Sequence, residues 1–127
     1  MKNICLALFI LILSSSCIFS KGEGYKRISM DEAKTLMEKK EGYILLDVRT
    51  KGEYESGYIP GAINIPLSDI DEKIISFLSD KSQMILVYCR SGNRSREASD
   101  KLSKLGYSNV LEIGGINAWK GEIVKNK

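Results

Sequence analysis

The spacing of apolar positions changes along this chain, and each change marks an element. An apolar stretch from Ile4 to Leu13 follows Met1-Lys2-Asn3 and gives way to Ser14-Ser-Ser-Cys17. At Ser29-Met-Asp-Glu32 a serine precedes a glutamate by three positions, the signature of a helix capping box, and Met30, Ala33, Leu36 and Met37 supply an apolar stripe behind it. Residues 43–48 and 84–88 are apolar without alternation, as expected of strands covered on both faces of a largely parallel sheet. Between them the pattern predicts a short polar segment at 51–56, a turn at Pro60-Gly61, a strand at 62–65 and a helix near 69–78. Ala98, Leu102 and Leu105 mark the buried face of a further helix that Gly106 ends. A last strand at 109–113 runs through Gly114-Gly115 into a turn of helix carrying Trp119. Strands alternating with helices predict an α/β sandwich on a parallel sheet, with ligands beyond the strands' carboxyl ends.

The amino-terminal pattern is that of an export signal over residues 1–20. Its apolar run is about half of the roughly 20 residues a membrane-spanning helix needs. Small residues directly before Cys17 resemble a bacterial lipobox, although Ser14 stands where leucine is usual. The expected location is therefore outside the cytoplasm, either free in a bacterial periplasm or anchored to the membrane through a lipidated Cys17. Beyond the signal, a tether at 21–26, one domain at 27–121 and a basic tail at 122–127 are expected. The net charge is +3 with acidic and basic residues interspersed, so no nucleic-acid surface is predicted.

The chain contains no histidine. That removes Cys-His pairs, Ser-His triads and most zinc sites, and no metal or cofactor is called for. Of three cysteines, Cys5 leaves with the signal and Cys17 is lipidated or removed, so Cys89 is left without a partner. It follows an apolar strand and precedes Arg90-Ser-Gly-Asn-Arg94-Ser, after which a helix begins. Unpaired N–H groups and the helix dipole there favour a thiolate or a bound anion. Arg90, Arg94 and Arg96 add local positive charge.

Four motifs in order give the chain a close resemblance to the rhodanese family of sulfurtransferases, in single-domain form. They are Leu46-Asp-Val-Arg49, the stretch Glu53-Tyr-Glu-Ser-Gly-Tyr-Ile-Pro-Gly-Ala-Ile-Asn-Ile-Pro66, the loop Cys89-Arg-Ser-Gly-Asn-Arg94-Ser, and Gly114-Gly-Ile-Asn-Ala-Trp119. The resemblance implies a three-layer α/β/α fold around a five-stranded, mainly parallel sheet. It implies that Cys89 takes a sulfane sulfur from thiosulfate or a similar donor as a persulfide and passes it to cyanide or a thiol. Arg90, Ser91, Gly92, Asn93, Arg94 and Ser95 would form the substrate-binding loop, with Arg90 meeting an anionic donor. Asp47 and Arg49 would brace that loop, with Glu53 as the ion partner of Arg49. Tyr58 stands where the family usually has histidine.

Two other readings share these residues. A persulfide relay or binding module would hand sulfur to one partner protein. Cysteine phosphatases and arsenate reductases of related fold resemble a Cys-x5-Arg loop, whereas here the arginines after Arg90 fall at Cys+5 and Cys+7. Mass spectrometry of the mature amino terminus separates the two forms expected of the leader. A diacylated Cys17 marks a lipoprotein, and an unmodified terminus beyond Cys17 rules it out.

Overall fold

A computed structural model describes residues 24–126. The export signal and Cys17 lie outside the described residues. The elements are β1 (Lys26–Arg27), α1 (Met30–Lys39), β2 (Ile44–Asp47), α2 (Lys51–Glu55), β3 (Ile63–Asn64), β4 (Ile85–Cys89), α3 (Asn93–Lys104) and β5 (Val110–Gly115). Five strands form one sheet in the order β1-β5-β4-β2-β3, and every pairing in it is parallel. The sheet is thus parallel throughout.

Strand alternation divides the core in two. On one face Leu46, Val48, Ile85, Val87 and Cys89 pack with Ala98 and Leu102 of α3. On the other, Leu45, Leu86, Tyr88 and Ile113 pack with Met30 and Ala33 of α1. A central strand covered on both sides has no polar face, which is why β4 is buried along its whole length. Trp119 and Met84 lie at the margin of the α1 layer, partly buried.

Several elements differ from the sequence pattern. The helix expected near 69–78 is instead two 3-10 turns, Leu67–Asp69 and Glu72–Ser76. Asp71 takes the Lys73 N–H on its own carboxylate, a side-chain bond that competes with helix extension, and Ile70, Ile74 and Ile75 are stiff, poor helix formers. The polar segment after β2 is a short helix with a complete capping box, Thr50 receiving the Glu53 N–H while Glu53 accepts from the Thr50 N–H. Lys26, placed in the tether by sequence, belongs to β1 and pairs with Leu111 of β5. Val124, placed in the tail, exchanges two backbone hydrogen bonds with Tyr58 at 2.9 Å each. Two-residue partners are too short to show a period, so neither edge was legible in advance.

β2 has a strand on either side, so its buried residues contribute strongly to stability. Leu46 is fully buried between β3 and β4. Leu46→Ala should lower stability by about 2–5 kcal/mol, read as a lower urea midpoint with an unchanged slope.

Candidate functional site

Cys89 is the last residue of β4, its side chain buried against α3, and the chain turns directly over it into that helix. The turn depends on Gly92, which has φ +108°, a left-handed conformation that side chains disfavour. The Gly92 N–H donates to the Cys89 sulfur at 2.9 Å. Because α3 has no side-chain cap, its first amides stay available. Burial resists ionisation of Cys89, but the backbone N–H groups of Ser95, Gly92 and Ser91 outweigh it, so the thiol lies below its ordinary pKa.

The floor under the loop is Gly115. A Cβ there would come within 2.2 Å of the Arg90 carbonyl oxygen, so no larger residue fits without moving the loop. The β4–β5 register shifts between Val87 and Cys89, pairing Val87 with Glu112 but Cys89 with Gly115. This bulge at Gly114, which has φ +90°, turns the end of β5 beneath the loop.

Two ion pairs stand near the site, and of these Glu53–Arg94 binds the loop itself while Asp47–Arg49 bonds to the crossover after β2. Asp47 and Arg49 are both buried and bond to each other through two guanidinium nitrogens, and Arg49 also donates to the Gly57 carbonyl at 2.6 Å. Asn64 donates to the carbonyls of Asp47 and Arg49, closing the end of β2. Burial opposes the charge on Arg49, and its contact with Asp47 more than restores it. Glu53 does not pair with Arg49 as expected. It holds Arg94 in a bidentate pair at 2.6 and 2.9 Å, because the capping box of α2 turns its carboxylate towards α3. Tyr58 stacks on Tyr54 with ring centroids 4.1 Å apart.

The six loop positions thus separate into different roles. Arg90, Ser91 and Asn93 present exposed side chains, while Gly92 and Ser95 are buried behind the sulfur and Arg94 is held by Glu53. Arg90 has no ion-pair partner among the described residues. Among those residues, no group of three or more His, Cys, Asp or Glu side chains is placed to hold a metal ion. Sequence reasoning missed Glu112, which is buried in β5 and accepts from the Ser95 hydroxyl at 2.6 Å. Its signal was a single acid inside the apolar run Val110-Leu-Glu-Ile113, since a buried charge requires partners. The whole arrangement can stabilise negative charge on the Cys89 sulfur and on an atom just beyond it.

The family description "Rhodanese-like domain" matches residues 29–122. The thiosulfate sulfurtransferase PspE of Escherichia coli is 39% identical over 71 residues, covering 56% of this chain and 68% of that protein. The adenylyltransferase and sulfurtransferase MOCS3 of Arabidopsis thaliana is 32% identical over 115 residues, covering 79% of this chain and 25% of that protein. The chain therefore spans about a quarter of that larger relative. A crystal structure of a rhodanese-like domain protein from Staphylococcus aureus superposes with a TM-score of 0.70 at 32% identity, covering 80% of this chain and 99% of that one.

The Glu53–Arg94 pair gives the fold a defined acid response. The hydrogen bond from Arg94 is the main cause holding the Glu53 carboxyl down to about 2, from an ordinary value of 4.5. A carboxyl depressed in the folded state stabilises above its unfolded pKa, and that stability is lost as pH falls from about 4.5 towards 2. Both side chains are partly solvated, so the contribution is about 1 kcal/mol or less. Glu53→Gln should lose that much near neutral pH and nearly nothing near pH 2, compared by urea unfolding across the interval.

Proposed function

The chain belongs to the rhodanese-like family, and from that premise we propose that it transfers a sulfane sulfur through a persulfide on Cys89. The single observation that carries this reading is the buried Cys89 sulfur lying 2.9 Å from the Gly92 N–H, beneath a loop whose amides favour an anion.

The reaction has two displacements. The Cys89 thiolate attacks the outer sulfur of thiosulfate, a sulfur–sulfur bond forms to the enzyme, and the original one breaks with its electron pair leaving on sulfite. The product is a Cys89 persulfide anion whose terminal sulfur takes the place of the thiolate as the loop's guest. In the second half, cyanide or a thiolate attacks that terminal sulfur, and the pair from the breaking bond returns to Cys89. No proton need move once the thiolate is formed, which accords with a chain lacking histidine. Ping-pong kinetics are expected. The exposed guanidinium of Arg90 beside the loop suits a dianionic donor, since it offers a planar fork of N–H groups.

Arg94 is engaged by Glu53 on both nitrogens, and this supports sulfur chemistry over phosphoryl transfer, which needs a loop arginine free to hold three oxygens. A protein thiol as acceptor is a second reading. It is supported by the relative named an adenylyltransferase and sulfurtransferase, in which a rhodanese-like stretch is one part of a longer chain. The leader at 1–20 supports action outside the cytoplasm, with membrane attachment if Cys17 is lipidated.

Incubation of the purified protein with thiosulfate should add one sulfur atom to the intact mass, and Cys89→Ser should add none. Cyanide should then remove the sulfur and yield thiocyanate. A folded protein with an alkylatable Cys89 that takes up no sulfur would overturn thiosulfate as the donor.

A further inference from the structure

Behind the nucleophile stands a carboxylate to which the transfer scheme gives no part. Glu112 lies within β5 with 1% of its surface exposed. Its Oε1 accepts from the Ser95 hydroxyl at 2.6 Å and from the Gly114 N–H at 2.9 Å, and its Oε2 accepts from Arg27 Nε at 3.2 Å. Each of these partners is a donor, so the group serves as an acceptor on both oxygens, the arrangement a carboxylate anion takes. Its cation among the described residues, Arg27, reaches in from β1 with half of its side chain in solvent, where water and salt weaken its pull. A neutral amide could accept from the Gly114 N–H and the Ser95 hydroxyl at lower cost in desolvation. Stability alone therefore gives no reason for an acid here.

The Ser95 hydroxyl has one proton and four acceptors within reach. They are Glu112 Oε1 at 2.6 Å, the Gly92 carbonyl at 3.0 Å, and the Gly114 carbonyl and Cys89 sulfur at 3.4 Å each. The shortest contact is also the charge-assisted one, so the proton goes to Glu112. What Ser95 then turns to Cys89 is a lone pair. It accepts from the thiol S–H and gives nothing to the thiolate, leaving the backbone amides of the loop to favour ionisation.

We propose that Glu112 is a positioning residue for the sulfur-transfer step, which rests on the reading above: it claims the Ser95 proton and sets its own charge against the loop amides. Other charges near Cys89 do not duplicate this. Arg94 of α3 is bound to Glu53 of α2, Asp47 and Arg49 neutralise one another at the end of β2, and Arg90 and Arg96 are exposed. Glu112 is thus the buried anion that reaches Cys89 through a hydroxyl. The consequence is kinetic. A thiolate loses nucleophilicity as its pKa falls, and the best attacking thiol has a pKa near the ambient pH. Loop amides acting alone would make Cys89 more acidic and less reactive, and Glu112 counteracts that excess.

The test is the pH dependence of iodoacetamide alkylation at Cys89, followed on the purified full chain by mass spectrometry of the peptide that carries it. Alkylation needs no sulfur donor, so the result stands even if thiosulfate transfer fails. In Glu112→Gln the midpoint should fall by about one pH unit as the like charge is removed. The high-pH plateau rate should fall about threefold, following the Brønsted slope for thiols. Ser95→Ala should leave the midpoint unraised, because the hydroxyl donates nothing to the thiolate. An unchanged or raised midpoint in Glu112→Gln, or a raised one in Ser95→Ala, overturns the proposal. If Glu112→Gln does not fold, Arg27→Gln decides, since that half-exposed side chain tolerates exchange. It should raise the midpoint by leaving Glu112 uncompensated, and an unchanged or lowered midpoint overturns the proposal.

Discussion

The convergence of backbone N–H groups on one sulfur atom is the constraint to which the rest of the domain answers. Amides cannot be repositioned singly, because each is fixed by the path of the chain. To bring those of residues 91, 92 and 95 to Cys89, the chain must leave β4, reverse within three residues and enter α3 at once. That path needs a left-handed Gly92, a helix start without a side-chain cap, and a neighbour without a Cβ at Gly115. Each feature is poor for local stability and good for holding an anion. The surrounding sheet makes them tolerable by burying β4 completely on both faces.

Ion pairs complete the frame, each with a different task. Asp47 and Arg49 are removed from water, where a pair adds little net stability but is costly to break. The bond from Arg49 to the Gly57 carbonyl, together with those from Asn64, locks the crossover after β2. Glu53 and Arg94 join two short-range motifs, a capping box on α2 and the first turn of α3. One carboxylate thereby ties the loop's last arginine to the preceding crossover. Glu112 performs the third task from beneath, holding the Gly114 amide at the bulge and the Ser95 hydroxyl at the sulfur.

Two opposed influences consequently meet at Cys89. Amides favour its negative charge, and the buried carboxylate two hydrogen bonds away disfavours it. A nucleophile that must also serve as a leaving group in the second displacement gains from such balance, since extreme acidity helps departure and harms attack.

The three layers came from the family resemblance, while the pattern along the chain was enough for alternating strands and helices on a parallel sheet, the two long strands, the capping of α1 and the place of Cys89 at a strand-to-helix turn. These rest on interactions between residues close along the chain, in which periodicity and composition record burial directly. Through the family resemblance the sequence also marked Asp47, Arg49, Glu53 and Arg94 as charged residues of the site, but it paired Glu53 with Arg49 instead of Arg94. Packing between elements set Glu53 against Arg94, drew Lys26 and Val124 into the folded sheet and its margin, and put 3-10 turns at Leu67–Asp69 and Glu72–Ser76 in place of the helix expected near 69–78. It alone joined Glu112 to Ser95, seventeen positions apart. Charge pairing depends on distances set by packing between elements, and a two-residue strand has no period of its own, so neither leaves a local trace in the chain.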